Sequence, residues 1–250
     1  MDLGIDGRVA LVLGASKGIG RGVAEALARE GAKVAIASRS LDTLEQTAAE
    51  IEGDVTAFQA DTGDLDGLAA LPAAVAEVFG QVEILVTNTG GPPLGLALDA
   101  NLDEWRDAYE SLLLAPRVLV EAVLPGMRER GWGRIVNVGS SSTREPIDGL
   151  TLSNSHRPGL IGFFKTVARE VAADGVTVND IATGRFATDR LASNWGGREQ
   201  MEQGAIEGIP AGRLGDPVEY GDLVAFLSSE RAGYITGTSI PIDGGMLRSV

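Results

Sequence analysis

The sequence predicts an α/β fold in which a doubly wound parallel sheet of about seven strands carries helices on both faces. Short β-rich segments alternate with helical patterns along the chain. These segments are nearly continuous apolar runs, as expected of parallel strands that are covered on both faces. No linker, low-complexity segment or repeat period interrupts the alternation, so residues 1–250 are predicted to form a single domain.

Each predicted strand is separated from the next by a helical or turn-rich segment. The predicted strands are 8–14, 33–38, 55–60, 82–88, 133–140, 176–182 and 239–243. The clearest helical patterns are 18–31, 41–53, 102–131 and 217–233. Because strand–helix–strand units cross over with a right hand, this order predicts helices on both faces of one sheet.

The composition excludes several classes of function. Lysine and arginine number 21 against 35 acidic residues, which gives a net charge of −14, whereas nucleic-acid binding needs a basic surface. With no cysteine and one histidine, neither thiol chemistry nor a metal site is predicted. No apolar run approaches the roughly 20 residues that cross a bilayer, and the acidic first residues do not resemble a signal peptide. We therefore expect a cytoplasmic protein whose partners include no membrane and no nucleic acid.

A glycine-rich loop follows the first predicted strand and opens the first predicted helix. Glycines permit its tight turn and let backbone N–H groups approach a pyrophosphate at the helix N-terminus, where the helix dipole favours negative charge. A tight turn can use the same glycines without a ligand, but the position after the first strand favours a Rossmann-type dinucleotide site. The predicted cofactor loop contains Gly14, Ser16, Lys17, Gly18, Ile19 and Gly20.

The end of the second predicted strand indicates which dinucleotide is preferred. An NAD site usually has an acidic residue here that accepts hydrogen bonds from the ribose 2′-hydroxyl. This chain has Ser38 and Arg39 instead, with Lys17 in the glycine loop. Cations and hydroxyls suit a 2′-phosphate, although the same two cations could simply be solvated surface charges. We expect NADP(H) to be favoured over NAD(H).

Several motifs in a fixed order give the chain a resemblance to the short-chain dehydrogenase/reductase family over nearly its whole length. The motifs are GASKGIG, ADTGD, ILVTNTGG, GRIVNVGSSS, GVTVNDIATGRFATDRL and a tail that ends in PIDGG. The chain is most similar to the 3-oxoacyl carrier-protein reductase type. This resemblance implies an oxidoreductase that acts on a small-molecule ketone/alcohol pair. It also implies a homotetramer or a homodimer.

The resemblance extends the expected cofactor site beyond the glycine loop. Asp61 is expected at the adenine ring, and Thr188 at the nicotinamide carboxamide. The implied contacts outside the loop and the second strand are Asp61, Thr62, Asn88, Gly90, Arg157, Gly184 and Thr188. Two motifs depart from the family pattern, since residues 87–90 read TNTG rather than NNAG and Thr183 replaces a proline. Both changes keep small or polar groups, so we expect cofactor binding to be retained.

The resemblance also locates the catalytic positions. The family uses a tyrosine as the proton donor, a lysine four residues later, a serine thirteen residues before the tyrosine and an asparagine in the long preceding helix. Aligned on these spacings, the chain has Ser153, Arg157, Ser140 and Leu112 at the four positions. No tyrosine lies between Tyr109 and Tyr220. Only the serine is therefore of the family type.

The substituted residues leave the proton donor open. A serine hydroxyl is a far weaker acid than a phenol, whose pKa is about 10. Arg157 can hold ribose hydroxyls but stays protonated. His156 is an alternative donor, because its ordinary pKa of about 6.5 suits proton transfer, and Pro158 could delay the start of the helix or kink it.

Two hypotheses follow. One is an NADP-dependent oxidoreductase with an atypical proton donor, and its candidate catalytic residues are Ser140, Ser153, His156 and Arg157. The other is a catalytically impaired nucleotide-binding or scaffold protein of the same fold. Residues 186–208 lie where the family has a lid, whose Trp195 and Met201 are candidates for an apolar substrate pocket, and residues 90–95 would form the opposite rim.

Overall fold

The computed structural model of the chain describes residues 1–194 and 196–249, and in this part seven parallel strands form one sheet in the order β3-β2-β1-β4-β5-β6-β7. The strands are β1 (Val9–Leu13), β2 (Lys33–Ser38), β3 (Val55–Gln59), β4 (Ile84–Thr87), β5 (Gly133–Val138), β6 (Val176–Thr183) and β7 (Ser239–Ile242). The order reverses between β1 and β4, and this reversal opens a crevice at the carboxyl ends of the strands. The predicted doubly wound fold is confirmed.

Helices cover both faces of the sheet. They are α1 (Gly18–Arg29), α2 (Leu41–Glu50), α3 (Leu65–Phe79), α4 (Leu102–Tyr109), α5 (Ala115–Arg130), α6 (Thr151–Val171), α7 (Asp189–Asn194), α8 (Arg198–Gly208) and α9 (Pro217–Leu227). Helices α1 and α9 pack on one face, and α3, α5 and α6 pack on the other. Alternate residues of each strand enter the two resulting cores.

The long helix predicted over 102–131 is helical throughout 102–130, but one turn inside it is not α-helical. A turn of π-helix (Glu110–Leu114) separates α4 from α5. Such a turn inserts one residue into the helical repeat and is frequent at functional sites. Its central residue is Leu112, which is buried against Ala108 and Leu152.

Helix α6 does not begin late, although Pro158 could have delayed its start. It begins at Thr151, and Pro158 lies inside it. The side chain of Asn154 fixes this start, because its Nδ2 donates to the carbonyl of Ile147 at 2.9 Å and its Oδ1 accepts from the Ile147 N–H at 3.1 Å. The first turn is thus anchored to the preceding loop before the proline is reached.

Candidate functional site

The glycine loop forms a close-packed cradle at the crevice. Gly14 and Gly18 have φ angles of +60° and +57°, a region that favours glycine. Asn88 Nδ2 donates to the Gly14 carbonyl at 3.3 Å, so the end of β4 holds the loop in place. The Ser16 carbonyl accepts from Thr47 Oγ1 of α2 at 3.1 Å.

The N-terminus of α1 opens towards the crevice. Lys17 is the N-cap residue and makes no side-chain capping bond. The first backbone N–H groups of the helix are therefore available to an anion. Ile19 turns inward and packs against the core beneath.

Cations rather than acids lie beside the end of β2. Ser38 is the last residue of this strand and is half-buried, and Arg39 and Lys17 are exposed. Neither cation has a side-chain partner among the described residues. The neighbouring Asp61 uses its carboxylate to accept the Gly63 N–H at 3.0 Å, and Thr62 is half-buried beside it.

The segment after β6 crosses the crevice. Gly184 donates its N–H to the Ile242 carbonyl at 3.0 Å, and an added Cβ there would lie 2.6 Å from Asp243 Cα. Thr188 packs its methyl group 3.2 Å from the position of a Cβ on Gly18. Gly184 and Thr188, both expected from the resemblance, therefore place this segment over the glycine loop.

Thr183 compensates for the missing proline with a hydrogen bond. Its hydroxyl lies 2.8 Å from the hydroxyl of Tyr220, which is fully buried in α9. Burial raises the pKa of Tyr220, so its hydroxyl keeps its proton. The bond ties the end of β6 to α9.

Three hydroxyls meet after β5. Ser140 Oγ accepts the Ser142 N–H at 3.1 Å, and Ser142 Oγ lies 3.0 Å from Ser153 Oγ, with both of the latter side chains buried. The structure therefore brings the two predicted serines together through Ser142. Sequence reasoning missed this residue, although the run of serines at 140–142 is a visible signal.

Arg157 is buried at the carboxyl ends of β4 and β5. Its Nη1 donates to the Val138 carbonyl at 3.3 Å, and its Nη2 donates to the Gly90 carbonyl. Burial lowers the pKa of Arg157, and the charge of Asp180 opposes this shift. The guanidinium thus links α6 to two adjacent strand ends.

A row of polar side chains crosses the sheet, and sequence reasoning did not single it out. Thr87 Oγ1 donates to Asn137 Oδ1 at 2.8 Å, Asn137 Nδ2 donates to Asp180 Oδ1 at 2.6 Å, and Ser239 Oγ donates to Asp180 Oδ2 at 2.6 Å. The four residues are in register on β4, β5, β6 and β7. Burial raises the pKa of Asp180, and the hydrogen bonds from Ser239 and Asn137 act against that shift. The signal was a charged residue inside a buried strand.

His156 lies on a different side of α6. Its ring centroid is 5.2 Å from that of Trp105 and 6.1 Å from that of Tyr109. Its Nε2 is buried with no hydrogen-bond partner in the described residues, and burial lowers the pKa of His156. The structure therefore does not bring His156 to Ser140, Ser153 or Arg157.

Lys165 is also remote from the candidate catalytic residues. Its Nζ donates to the Gly237 carbonyl at 2.6 Å. It does not replace the lysine that the resemblance expects.

Arg190 of α7 joins the two rims of the crevice, and sequence reasoning did not identify it. Its Nη2 donates to the Gly91 carbonyl at 2.7 Å and lies 3.3 Å from the Pro92 carbonyl. Burial lowers the pKa of Arg190. Met201 of α8 is buried, and Trp195 lies outside the described residues.

Two features are absent from the described part of the chain. Within residues 1–194 and 196–249, no group of three or more histidine, cysteine or acidic side chains is placed to hold a metal ion. Across the same residues, no helix is both long and apolar enough to pass through a bilayer.

Comparison with known proteins identifies the family. A family model described as enoyl-(acyl carrier protein) reductase matches residues 14–247. The 3-oxoacyl-(acyl-carrier-protein) reductase of Vibrio cholerae is 39% identical over 98% of this chain and 99% of its own. The Escherichia coli enzyme of the same name is 35% identical over 98% and 99%.

Solved structures agree with the sequence comparison. The crystal structure of L-sorbose reductase from Gluconobacter frateurii, complexed with NADPH and L-sorbose, aligns over 100% of both chains with a TM-score of 0.94 and 32% identity. The actinorhodin polyketide ketoreductase with NADPH aligns over 97% and 98% of the two chains, with a TM-score of 0.91 and 30% identity. From the fold, the crevice and these matches together, the chain belongs to the short-chain dehydrogenase/reductase family of oxidoreductases.

Proposed function

We propose that the protein is an NADP(H)-dependent oxidoreductase that interconverts a small-molecule ketone and its alcohol. The observation that carries the proposal is the cradle between Gly14 and Gly20, where the N-terminus of α1 has no side-chain cap. A pyrophosphate fits there, because backbone N–H groups and the dipole of α1 favour an anion.

Three groups support a preference for the phosphorylated cofactor. Lys17, Ser38 and Arg39 surround the end of β2, and the side chains of the two cations are committed to no other group among the described residues. A 2′-phosphate would accept charge-assisted hydrogen bonds from both. L-sorbose reductase, which has a very similar fold, was crystallised with NADPH.

We propose that the remaining cofactor contacts follow the resemblance. Asp61 and Thr62 would lie at the adenine, and Gly90 and Arg157 at the ribose of the nicotinamide. Thr188 would bind the carboxamide, with Gly184 giving the cofactor room. Asn88 would act through the loop, because it holds the Gly14 carbonyl.

The hydroxyl cluster would supply the proton. The bound cofactor supplies a hydride to the carbonyl carbon in the reducing direction, and the substrate oxygen then needs one proton. Ser153 would give its Oγ proton to that oxygen and recover one from Ser142 Oγ, which lies 3.0 Å away. Solvent would restore the proton of Ser142, and Ser140 would donate a hydrogen bond to the substrate oxygen.

A serine can serve as the donor because the acceptor is strongly basic. The oxygen left after hydride addition is an alkoxide, whose basicity is close to that of a serine alkoxide. Transfer of the proton from Ser153 to this oxygen would therefore change the free energy little. This site lacks an acidic phenol, which would polarise the carbonyl before the hydride is transferred. Arg157 contributes fixed positive charge rather than a proton. The similarity to reductases over nearly the whole chain does not favour the catalytically impaired alternative.

Cofactor preference is tested by titrating the protein with NADPH and NADH while following nicotinamide fluorescence. We expect NADPH to bind about 10- to 100-fold more tightly, the range given by one or two charge-assisted hydrogen bonds. Arg39→Gln should remove most of this preference, whereas Arg169→Gln, which changes an exposed arginine on α6, should leave it unchanged. A protein that responds to neither nucleotide would refute the proposal.

The proton donor is tested with a ketone panel and NADPH. Ser153→Ala should lower kcat by about 10²–10⁴-fold, the usual contribution of a positioned general acid. Ser155→Ala is the matched control, since Ser155 is exposed and bonds only the Thr151 carbonyl of its own helix. Turnover that survives in Ser153→Ala and disappears in His156→Ala would show that the donor has been misassigned.

The other parts of the proposal remain expectations from the resemblance. We propose one domain over residues 1–250, a homotetramer or homodimer, and a cytoplasmic location. Sedimentation of the purified protein measures the assembly directly.

A further inference from the structure

We propose that Arg190 recognises a carboxylate, so that the substrate is the anion of an oxo acid rather than a neutral ketone. This inference rests on the proposed oxidoreductase function and names its substrate class. It is carried by two guanidinium groups that converge on one loop of the crevice without an acidic partner.

The first observation is the position of Arg190. Its Nη2 binds the Gly91 carbonyl at 2.7 Å, and a Cβ on Gly91 would lie 3.1 Å from its Cζ. The guanidinium therefore lies directly against a backbone that has no side chain at this point. Its Nε and Nη1 are committed to no other group in the described residues, so the N–H groups of these two nitrogens remain for a ligand.

The second observation is an excess of positive charge. Arg157 binds the adjacent Gly90 carbonyl, so two guanidinium groups contact consecutive residues. Neither forms an ion pair within residues 1–194 and 196–249. The nearest acid acting on Arg157 is Asp180, whose carboxylate is already held by Asn137 and Ser239.

Buried charges are normally paired, because removing them from water is costly. The pKa of Arg157 is lowered by burial first, and the positive charge of Arg190 lowers it further. Arg190 itself is exposed, and an anion bound there would offset its repulsion of Arg157. This local excess is notable in a chain whose net charge is −14.

The geometry assigns the anion to the substrate rather than to the cofactor. The phosphates belong at the glycine loop, where Gly18 packs against Thr188. Arg190, two residues beyond Thr188, instead contacts Gly91 and Pro92 of the opposite rim at 90–95. The free Nε and Nη1 of Arg190 can each donate a charge-assisted hydrogen bond to a carboxylate oxygen.

The test is a calorimetric titration of the protein saturated with NADP⁺. The two probes are 3-oxobutanoate and methyl 3-oxobutanoate, which differ by one negative charge, and the oxidised cofactor prevents turnover. We expect the anion to bind at least 10-fold more tightly than the ester, and Arg190→Gln to abolish this preference. Arg190→Lys should keep part of it, because the charge remains while the fork is lost.

The matched control is Arg198→Gln. Arg198 lies on the neighbouring helix α8, is exposed and pairs loosely with Asp189 at 3.6 Å. This variant should bind the anion like the wild type. The NADP⁺ affinity of each variant, measured by fluorescence competition, shows that its crevice is intact.

Several outcomes would overturn the inference. They are equal binding of acid and ester, no binding of either, a preference that persists in Arg190→Gln, or displacement of NADP⁺ by 3-oxobutanoate. A failure of the proposed function is distinguishable, because it appears as absent binding of nucleotide in the fluorescence titration. The anion titration is then repeated without cofactor, and it still reports on Arg190.

Discussion

Replacing Gly20 with alanine tests the cofactor cradle most directly. Gly20 lies in the first turn of α1 with no positive φ angle, so the substitution imposes no backbone strain. The added Cβ would instead lie 2.8 Å from Asn88 Nδ2 and closer still to the Gly14 carbonyl oxygen. Since the second of these is backbone, the loop itself has to move. Overpacking of this kind costs about 1–3 kcal/mol of stability.

The effect on nucleotide binding should exceed the effect on folding. Asn88 holds the Gly14 carbonyl at 3.3 Å, so a shifted loop moves the N–H groups that would face the pyrophosphate. We expect NADPH affinity to fall at least tenfold, which corresponds to about 1.4 kcal/mol. Fluorescence titration measures this loss, and thermal unfolding without nucleotide measures stability.

Gly22→Ala is the control for this experiment. It lies two residues further along α1, and its Cβ would lie 2.5 Å from the Pro217 carbonyl oxygen, at the contact with α9. A similar loss of stability is expected with unchanged NADPH affinity. The reasoning is refuted if Gly20→Ala binds NADPH like the wild type, or if both variants lose affinity equally.

Three further predictions concern the surroundings of the site. NMR titration of His156, the sole histidine, should give a pKa below the ordinary value of about 6.5, because burial disfavours the charged form. The contribution of neutral His156 to stability is then present above pH 6.5 and is lost as the pH falls through the folded-state pKa. His156→Gln should therefore flatten the pH dependence of the unfolding temperature. An NMR titration midpoint above 6.5 would contradict this prediction. Gly162→Ala should raise the free energy of unfolding by about 0.5–1 kcal/mol, since a Cβ there meets nothing within 4 Å, whereas a loss would indicate that another subunit covers this position. Tyr220→Phe removes the bond to Thr183 and should cost about 1 kcal/mol in denaturant unfolding, and an unchanged midpoint would show that the bond contributes nothing.

The sheet could be predicted from the sequence, because each strand is a local signal. The predicted strand 33–38 coincides with β2 (Lys33–Ser38), and 8–14 exceeds β1 by one residue at each end. The break between α4 and α5 could not be predicted, since the apolar repeat continues through residues 110–114. A π-helical turn changes hydrogen bonding without changing which residues are apolar.

The candidate site was predictable where it follows a motif, and it was missed where it depends on register. The glycine loop follows from its position after the first strand, and Ser140 follows from the family resemblance. The contact of Asn137 with Asp180 depends on how β5 and β6 align, and a shift of one residue would turn one of the two side chains to the other face. Arg190 was missed because its contacts with residues 91 and 92 connect segments almost a hundred residues apart.

The contacts of Arg157 bear on where the proton can come from. Its planar fork reaches the Val138 and Gly90 carbonyls at once, and it therefore fixes α6 to the ends of two strands. An arginine in this position is permanently charged, and Asp180, held in the polar row of the sheet, offsets part of that charge. Because this cation can neither give up nor accept a proton, proton transfer under the proposed function would run through neutral groups. The hydrogen-bonded pair of Ser142 and Ser153 is buried, and its hydroxyls are the neutral groups proposed to donate to a newly formed alkoxide.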